Sequence, residues 1–284
     1  MKTTFILRLA CCLGAGVLLM LSSGCKKQSE AVRLQTFPRY PTARDIFPII
    51  APYLPKDPAI LEGGAYDGNN TAELASLWPK GMVYSFEPVP TLYQNVKART
   101  AALSNVHLYD LALSNKVGTA TFHVSEFDHN PGVPSESSSL LAPKVHKTLM
   151  PKILFEKDIT VATTTIDDWA SKNGVDRIDL LYLDIQGAEL MAMKGAPRIM
   201  NTVKVIMTEL ESVELYEGQG KYPELKQWLE AQGFRMIAAN FAPEASTVVG
   251  KVITFAAKCY RMIAANYDPA KEGTLVGDAV FARE

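Results

Sequence analysis

Ala59-Ile60-Leu61-Glu62-Gly63-Gly64-Ala65-Tyr66-Asp67-Gly68-Asn69-Asn70 is the stretch on which the fold turns. Three apolar residues form a short buried strand and an acid ends it. Closely set glycines follow, and Thr71 to Leu77 then takes up helical spacing. Glycines at such a strand-to-helix turn let backbone come close to a ligand. The phasing is acid-x-G-x-x-x-G, with Glu62, Gly64 and Gly68 at the fixed positions. It does not match the G-x-G-x-x-G of a dinucleotide loop. A carboxylate at the strand end suits a positively charged ligand and repels a pyrophosphate. The plainer alternative is a structural turn whose helix is capped by Asn69 or Asn70.

The chain continues this unit in both directions. Thr42 is placed to cap a short amphipathic helix through Ile46, Ile49, Ile50 and Tyr53, ending near Pro55. Met82 to Phe86 and Val106 to Tyr109 are strands. Between them Thr91 to Ala102 is a helix with Leu92, Val96 and Arg99 along one side. Ile178 to Leu183 is a strand that leads into a helix from Ala188 to Lys194. Val203 to Leu210 is another strand, and Tyr222 to Gln232 is a helix closed by Gly233. Continuously apolar strands alternating with helices specify an α/β fold, with a mostly parallel sheet covered on both faces.

Ligands on such sheets bind at the carboxyl ends of the strands. Glu87, after the second strand, can accept hydrogen bonds from two neighbouring hydroxyls. Asp110 and Ala112 follow the third strand, where a flat base would lie. Asp184 tips the fourth strand, with Glu189 one helical turn further on. Glu209 and Glu211 end the fifth strand, and strand alternation puts them on one side. These acids could serve as a general base, bind a substrate or hold a divalent cation. Helix capping and surface charge are the bland alternative.

With these residues in view, the chain resembles the FkbM family of methyltransferases. The matching segments are Ile60 to Asn70, Phe86-Glu87-Pro88, Ala112-Leu113-Ser114-Asn115 with Gly118, Ser137-Ser138-Ser139-Leu140, Thr165-Ile166-Asp167-Asp168, and Asp184 to Glu189 with Lys194-Gly195-Ala196. They span about Ala59 to Leu210. Members commonly carry Glu where this chain has Gln186, which keeps the hydrogen bonds but not the charge. The resemblance implies a Rossmann-like class I methyltransferase fold with an antiparallel closing strand, for which Ala279 to Ala282 is available. It implies S-adenosylmethionine as cofactor, bound by Glu62, Gly64, Gly68, Asn69, Glu87, Asp110, Ala112 and Asp184. A methyl group would pass to a hydroxyl of a sugar or small metabolite, with Asp184 as acceptor-side base and Glu209 beside it as a second catalytic acid. A nicotinamide oxidoreductase is the rival enzyme class, disfavoured by the glycine phasing.

The first 25 residues read as a targeting segment. Lys2 and Arg8 precede an apolar run from Leu9 to Leu21, and Ser22-Ser23-Gly24-Cys25 follows. Gly24-Cys25 resembles the end of a bacterial lipobox, although Ser22 stands where an aliphatic residue is usual. Cys25 is therefore a candidate for lipidation, with an uncleaved anchor and a misplaced start as alternatives. Residues 26–41 read as a linker and 42–284 as the methyltransferase domain. Export would separate the domain from S-adenosylmethionine, which is made inside cells. Either the domain stays on the cytoplasmic face, or it is a non-catalytic binding lipoprotein on a methyltransferase scaffold.

The remaining features restrict partners. The chain has 29 basic and 30 acidic residues and no basic stripe, which argues against nucleic acid. No Cys/His spacing suits zinc, so no metal ligands are assigned. A small-molecule or glycan acceptor and a membrane surface are the expected partners; the sequence is silent on oligomeric state. Two stretches interrupt the alternation. Ser125 to Lys157 is polar and rich in proline and reads as irregular, an acceptor-side lid with Ser137 to Ser139 near the pocket. Residues 234–240 recur at 260–266 as a local duplication. The first copy follows a helix directly and is expected to be the sheet strand. The second is expected to be an added edge element, with Val248 to Phe255 as hairpin partner.

Overall fold

The computed structural model of the protein describes residues 34–38, 41–240 and 276–283. Helix α1 (Ala43–Ile50) starts where Asp45 accepts the Thr42 backbone N–H at 2.9 Å and its hydroxyl at 3.1 Å. That reciprocal box satisfies N-terminal donors which would otherwise be orphaned. A 3₁₀ turn carries the chain on to Tyr53. Then come β1 (Ala59–Gly63), α2 (Asn69–Leu77), β2 (Met82–Phe86), α3 (Pro90–Thr100) and β3 (Val106–Tyr109). The middle of the chain holds β4 (Ala112–Leu113), β5 (Gly118–Phe127), α4 (His146–Leu149), β6 (Ile153–Thr164) and α5 (Ile166–Lys172). The alternation resumes with β7 (Leu180–Leu183), α6 (Glu189–Lys194), β8 (Val205–Glu211), α7 (Tyr222–Ala231), β9 (Phe234–Ala239) and β10 (Val276–Arg283).

Seven strands form the main sheet in the order β3-β2-β1-β7-β8-β10-β9. β1, β2, β3, β7 and β8 pair in parallel, while β10 runs antiparallel to both its neighbours. Alternation distributes the side chains between two layers. Leu61, Leu181, Ile206 and Phe281 face Trp169 of α5, Leu190 and Met193 of α6, and Leu225 and Leu229 of α7. Ile60, Leu180, Val205 and Val280 face Ile46 and Ile50 of α1 and Leu74 of α2. A strand buried on both faces must be apolar throughout, which is why these segments read as unbroken hydrophobic runs. Each fully buried Leu or Ile contributes about 1.5–3 kcal/mol.

Two features depart from the sequence reading. Gln35, within the stretch read as linker, accepts the Ala239 N–H at 3.1 Å and donates to Ile237 O at 3.0 Å, so packing on the domain begins before residue 42. The segment 125–157 is not irregular throughout. Its two ends belong to β5 and β6, which pair antiparallel and with β4 form a second, three-stranded sheet. The sequence does carry period-2 patterning there, for Phe122 and Val124 are buried, but polar residues on the opposite face mask it. Of the duplicated segment, the first copy forms β9, at the sheet edge beside the closing strand. The second copy, and Val248 to Phe255 with it, lies outside the described residues.

Candidate active site

The strand ends of β1, β2, β7 and β8 place the sequence's separate candidate segments side by side. Gly64 and Ala65 both donate their N–H to Phe86 O at 3.1 Å, which binds the glycine loop to the end of β2. Asp184 donates its N–H to Gly63 O at 3.1 Å. Gly64 has φ +87°, and a Cβ added there would fall 1.9 Å from Asp184 O. The loop after β1 and the tip of β7 are thus packed backbone against backbone, with no room for a side chain. Gly68 caps α2 at φ 79°, and the Asp67 carboxylate accepts the Asn69 N–H at 2.9 Å. Arg99, exposed on α3, donates to Asp67 O at 2.7 Å, so it steadies this loop and takes no part in the buried face.

Glu62 is buried, and one carboxylate oxygen serves two hydroxyls, Thr71 and Ser85, each at 2.5 Å. Its other oxygen, Oε1, is buried without a partner. Burial pushes its pKa up to about 7, against the two hydroxyl bonds. Glu87 is buried too. It accepts the N–H groups of Tyr66 at 2.8 Å and Val89 at 2.9 Å, one on each oxygen. Burial likewise pushes its pKa up to about 7, the two backbone bonds opposing. Each Glu87 oxygen keeps a second acceptor position. Asp110 lies exposed past the end of β3, and Ala112 is buried in β4.

The acids at β7 and β8 gather around Gln186. Its side-chain N–H groups reach Asp184 Oδ1 at 2.7 Å and Glu209 Oε2 at 3.0 Å. Glu189 is buried and accepts the Ile185 N–H at 2.9 Å, with burial raising its pKa to about 7. Glu209 and Glu211 are pushed well above the carboxylate range, by burial first. The charge of Glu211 then acts on Glu209, and that of Glu189 on Glu211. Burial and like charge thus favour the neutral form of both. Asp184 keeps solvent-exposed surface at the rim of the group, yet the packing around its carboxyl pushes its pKa up, with the Gln186 hydrogen bond opposing. Among the described residues no group of three or more His, Cys, Asp or Glu is arranged to hold a metal ion.

One part of the site was not assigned from sequence. Tyr216, fully buried after β8, directs its hydroxyl to Gln186 Oε1 at 2.9 Å and Ser137 O at 2.8 Å. Nothing local distinguishes it from any apolar aromatic past a strand end. Ser139 donates to Gln186 O at 2.7 Å, so the serine run does reach this turn, as expected, but it does so buried. Tyr66 and Gln186 are the two non-glycine residues at positive φ among the described ones, and both belong to this site. Such strained residues gather where function constrains the backbone.

A family model described as the methyltransferase FkbM domain matches residues 62–236. The chain is 31% identical over 205 residues to the 2-O-methyltransferase NoeI of Sinorhizobium fredii (strain NBRC 101917 / NGR234), covering 72% of this chain and 82% of that protein. It is 27% identical over 222 residues to the methyltransferase sdnD of Sordaria araneosa, covering 69% of this chain and 82% of that one. Among solved structures, the N-terminal domain of EvdMO1 crystallised with SAH and D-fucose aligns with a TM-score of 0.44 at 10% identity, over 87% of this chain and 85% of that one.

Proposed function

This chain belongs to the FkbM methyltransferase family, and from that premise we propose that it methylates a hydroxyl of a sugar or small metabolite with Asp184 as the acceptor-side base. It is an S-adenosylmethionine-dependent methyltransferase. When bound, the cofactor supplies an electrophilic methyl group on a sulfonium sulfur. The donor set fits that group. Glu62 Oε1 is a buried acceptor without a partner at the end of β1, beside the glycine loop. In this reading Glu62, Gly64, Gly68 and Asn69 hold the amino-acid end. Glu87 takes the ribose hydroxyls on its spare acceptor positions, and Asp110 and Ala112 flank the adenine. Asp184 stands at the solvent edge of the acid group, where it can take the proton of an acceptor hydroxyl. Glu209, whose neutral form burial favours, is suited to hydrogen-bond the acceptor as a donor. The name of the relative from Sinorhizobium fredii, a 2-O-methyltransferase, supports an oxygen acceptor.

The observation that carries the cofactor reading is the buried Glu87 carboxylate, held by two backbone N–H groups at the mouth of the glycine loop. Glu87→Ala is expected to weaken S-adenosylhomocysteine binding by about 1.5–3 kcal/mol, the value of hydrogen bonds to a charged group. Isothermal titration calorimetry checks it. Wild-type protein that is folded and binds no S-adenosylhomocysteine would overturn the reading.

The order Lys2 and Arg8, then Leu9 to Leu21, then Gly24-Cys25 supports a membrane tether for the domain, with Cys25 as the lipidated residue. Those residues lie outside the described ones, among which no helix is long and apolar enough to cross a membrane. Incorporation of a fatty-acid analogue is expected to vanish in Cys25→Ser and persist in Cys259→Ser. Equal labelling of wild type and Cys25→Ser would point to an uncleaved anchor.

A further inference from the structure

Gln186 is the most connected side chain of the acceptor-side group. It holds φ 53°, an unfavourable region for a residue with a side chain. Its main-chain oxygen accepts Ser139 Oγ–H at 2.7 Å, which ties the strained turn to the serine segment. Both N–H bonds of the amide are spent, one on Asp184 at 2.7 Å and one on Glu209 at 3.0 Å. The amide oxygen accepts the hydroxyl of Tyr216, a residue with no exposed surface. A flipped amide would turn its C=O toward the Asp184 oxygen, which only accepts when ionised, so the orientation with N–H toward Asp184 goes with the ionised base.

We propose that Gln186 is the positioning residue of the acceptor-side base: it clamps Asp184 to Glu209, fixes how the Asp184 carboxyl faces the acceptor, and favours its ionised form. This rests on the reading of Asp184 as the base. The groups facing Asp184 come from every packed element. They are Glu62 on β1, Tyr182 on β7, Glu189 on α6, Glu209 and Glu211 on β8, Tyr216 beyond it, and Glu136 on the segment before Ser137. All are acids or phenols. No lysine or arginine pairs with Asp184, Glu189, Glu209 or Glu211 among the described residues. Burial and the Glu136 charge therefore drive Asp184 toward its neutral form, and the Gln186 amide opposes them. A neutral donor lowers the pKa of the carboxylate that it serves, whereas a third carboxyl would raise it.

The test uses the full chain with carboxyl-¹³C aspartate and neither cofactor nor acceptor added. The Asp184 resonance is the one missing from Asp184→Asn. In Gln186→Glu its titration midpoint is expected to rise by about one to two pH units. In Gln186→Met, which removes the donors and adds no charge, it is expected to rise by less. The acid limb of the pH profile for methyl transfer moves to higher pH by the same amount, because the base must be deprotonated to act. A purely structural role would lower the rate at every pH and leave both midpoints in place, and that result overturns the inference while leaving Asp184 as base. A shifted midpoint with an unmoved acid limb overturns the base assignment and the catalytic role of Gln186 with it. Should Gln186→Glu fail to fold, the Gln186→Met midpoint decides.

Discussion

Gly64→Ala is expected to abolish S-adenosylhomocysteine binding and to destabilise the fold by about 2–5 kcal/mol. The added methyl group would sit 1.9 Å from Asp184 O and 3.0 Å from its carbonyl carbon, both backbone atoms. Neither can give way easily, because Asp184 is held to Gly63 O by its own N–H and Gly64 to Phe86 O by its N–H. The positive φ of 87° adds a strain that any side chain would bear. Gly132→Ala separates the two contributions. Gly132 has φ +82°, but a Cβ there meets nothing within 4 Å. Its alanine variant bears the strain of about 1–2 kcal/mol without the clash. Urea unfolding of both variants, with calorimetry, measures the difference. Equal losses at the two positions would show that the close approach of Gly64 to Asp184 does not matter.

Asp184→Asn is expected to slow methyl transfer by about 10²–10⁴-fold, the range for loss of a general base. The substitution is a clean one. The asparagine carbonyl can still accept from Gln186 Nε2, and the side chain keeps the size and place of the aspartate. Melting temperature and S-adenosylhomocysteine affinity should therefore stay at wild-type values while the rate falls. The companion variant Glu209→Gln replaces a group that burial and the Glu211 charge push toward its neutral form, so its rate should fall far less. Release of S-adenosylhomocysteine, followed with a hydroxyl acceptor found in a panel of sugars, supplies the measurement. A full rate in Asp184→Asn beside a stalled Glu209→Gln would reverse the two roles.

The glycine loop, the apolar strands and the acids at the strand ends were legible in the sequence because each is encoded locally. A strand buried on both faces must be apolar along its length, so Ile60-Leu61, Val203 to Leu210 and Ile178 to Leu183 announce themselves. Glu62, Glu87, Asp184 and Glu209 follow from where those strands stop. The second sheet was not legible. Gly118 pairs with Thr163 and Phe127 with Ile153, across a stretch whose prolines and serines read as loop. Its one buried face is visible only once the partner strand is known.

Sequence by itself therefore determined the order of the strands along the chain, the helices between them and the chemical types available at their ends. Tertiary structure alone decided which of those groups meet. It set Gly64 against Asp184, 120 positions further on, and Tyr216 against Gln186 and Ser137. It also shifted their pKa values: Glu62, Glu87, Glu189, Glu209 and Glu211 are ordinary carboxyls as letters, and burial is what raises them. The physical reason is range. Apolar periodicity acts over a few residues, whereas desolvation and close packing depend on everything that surrounds a group, and most of that comes from distant parts of the chain.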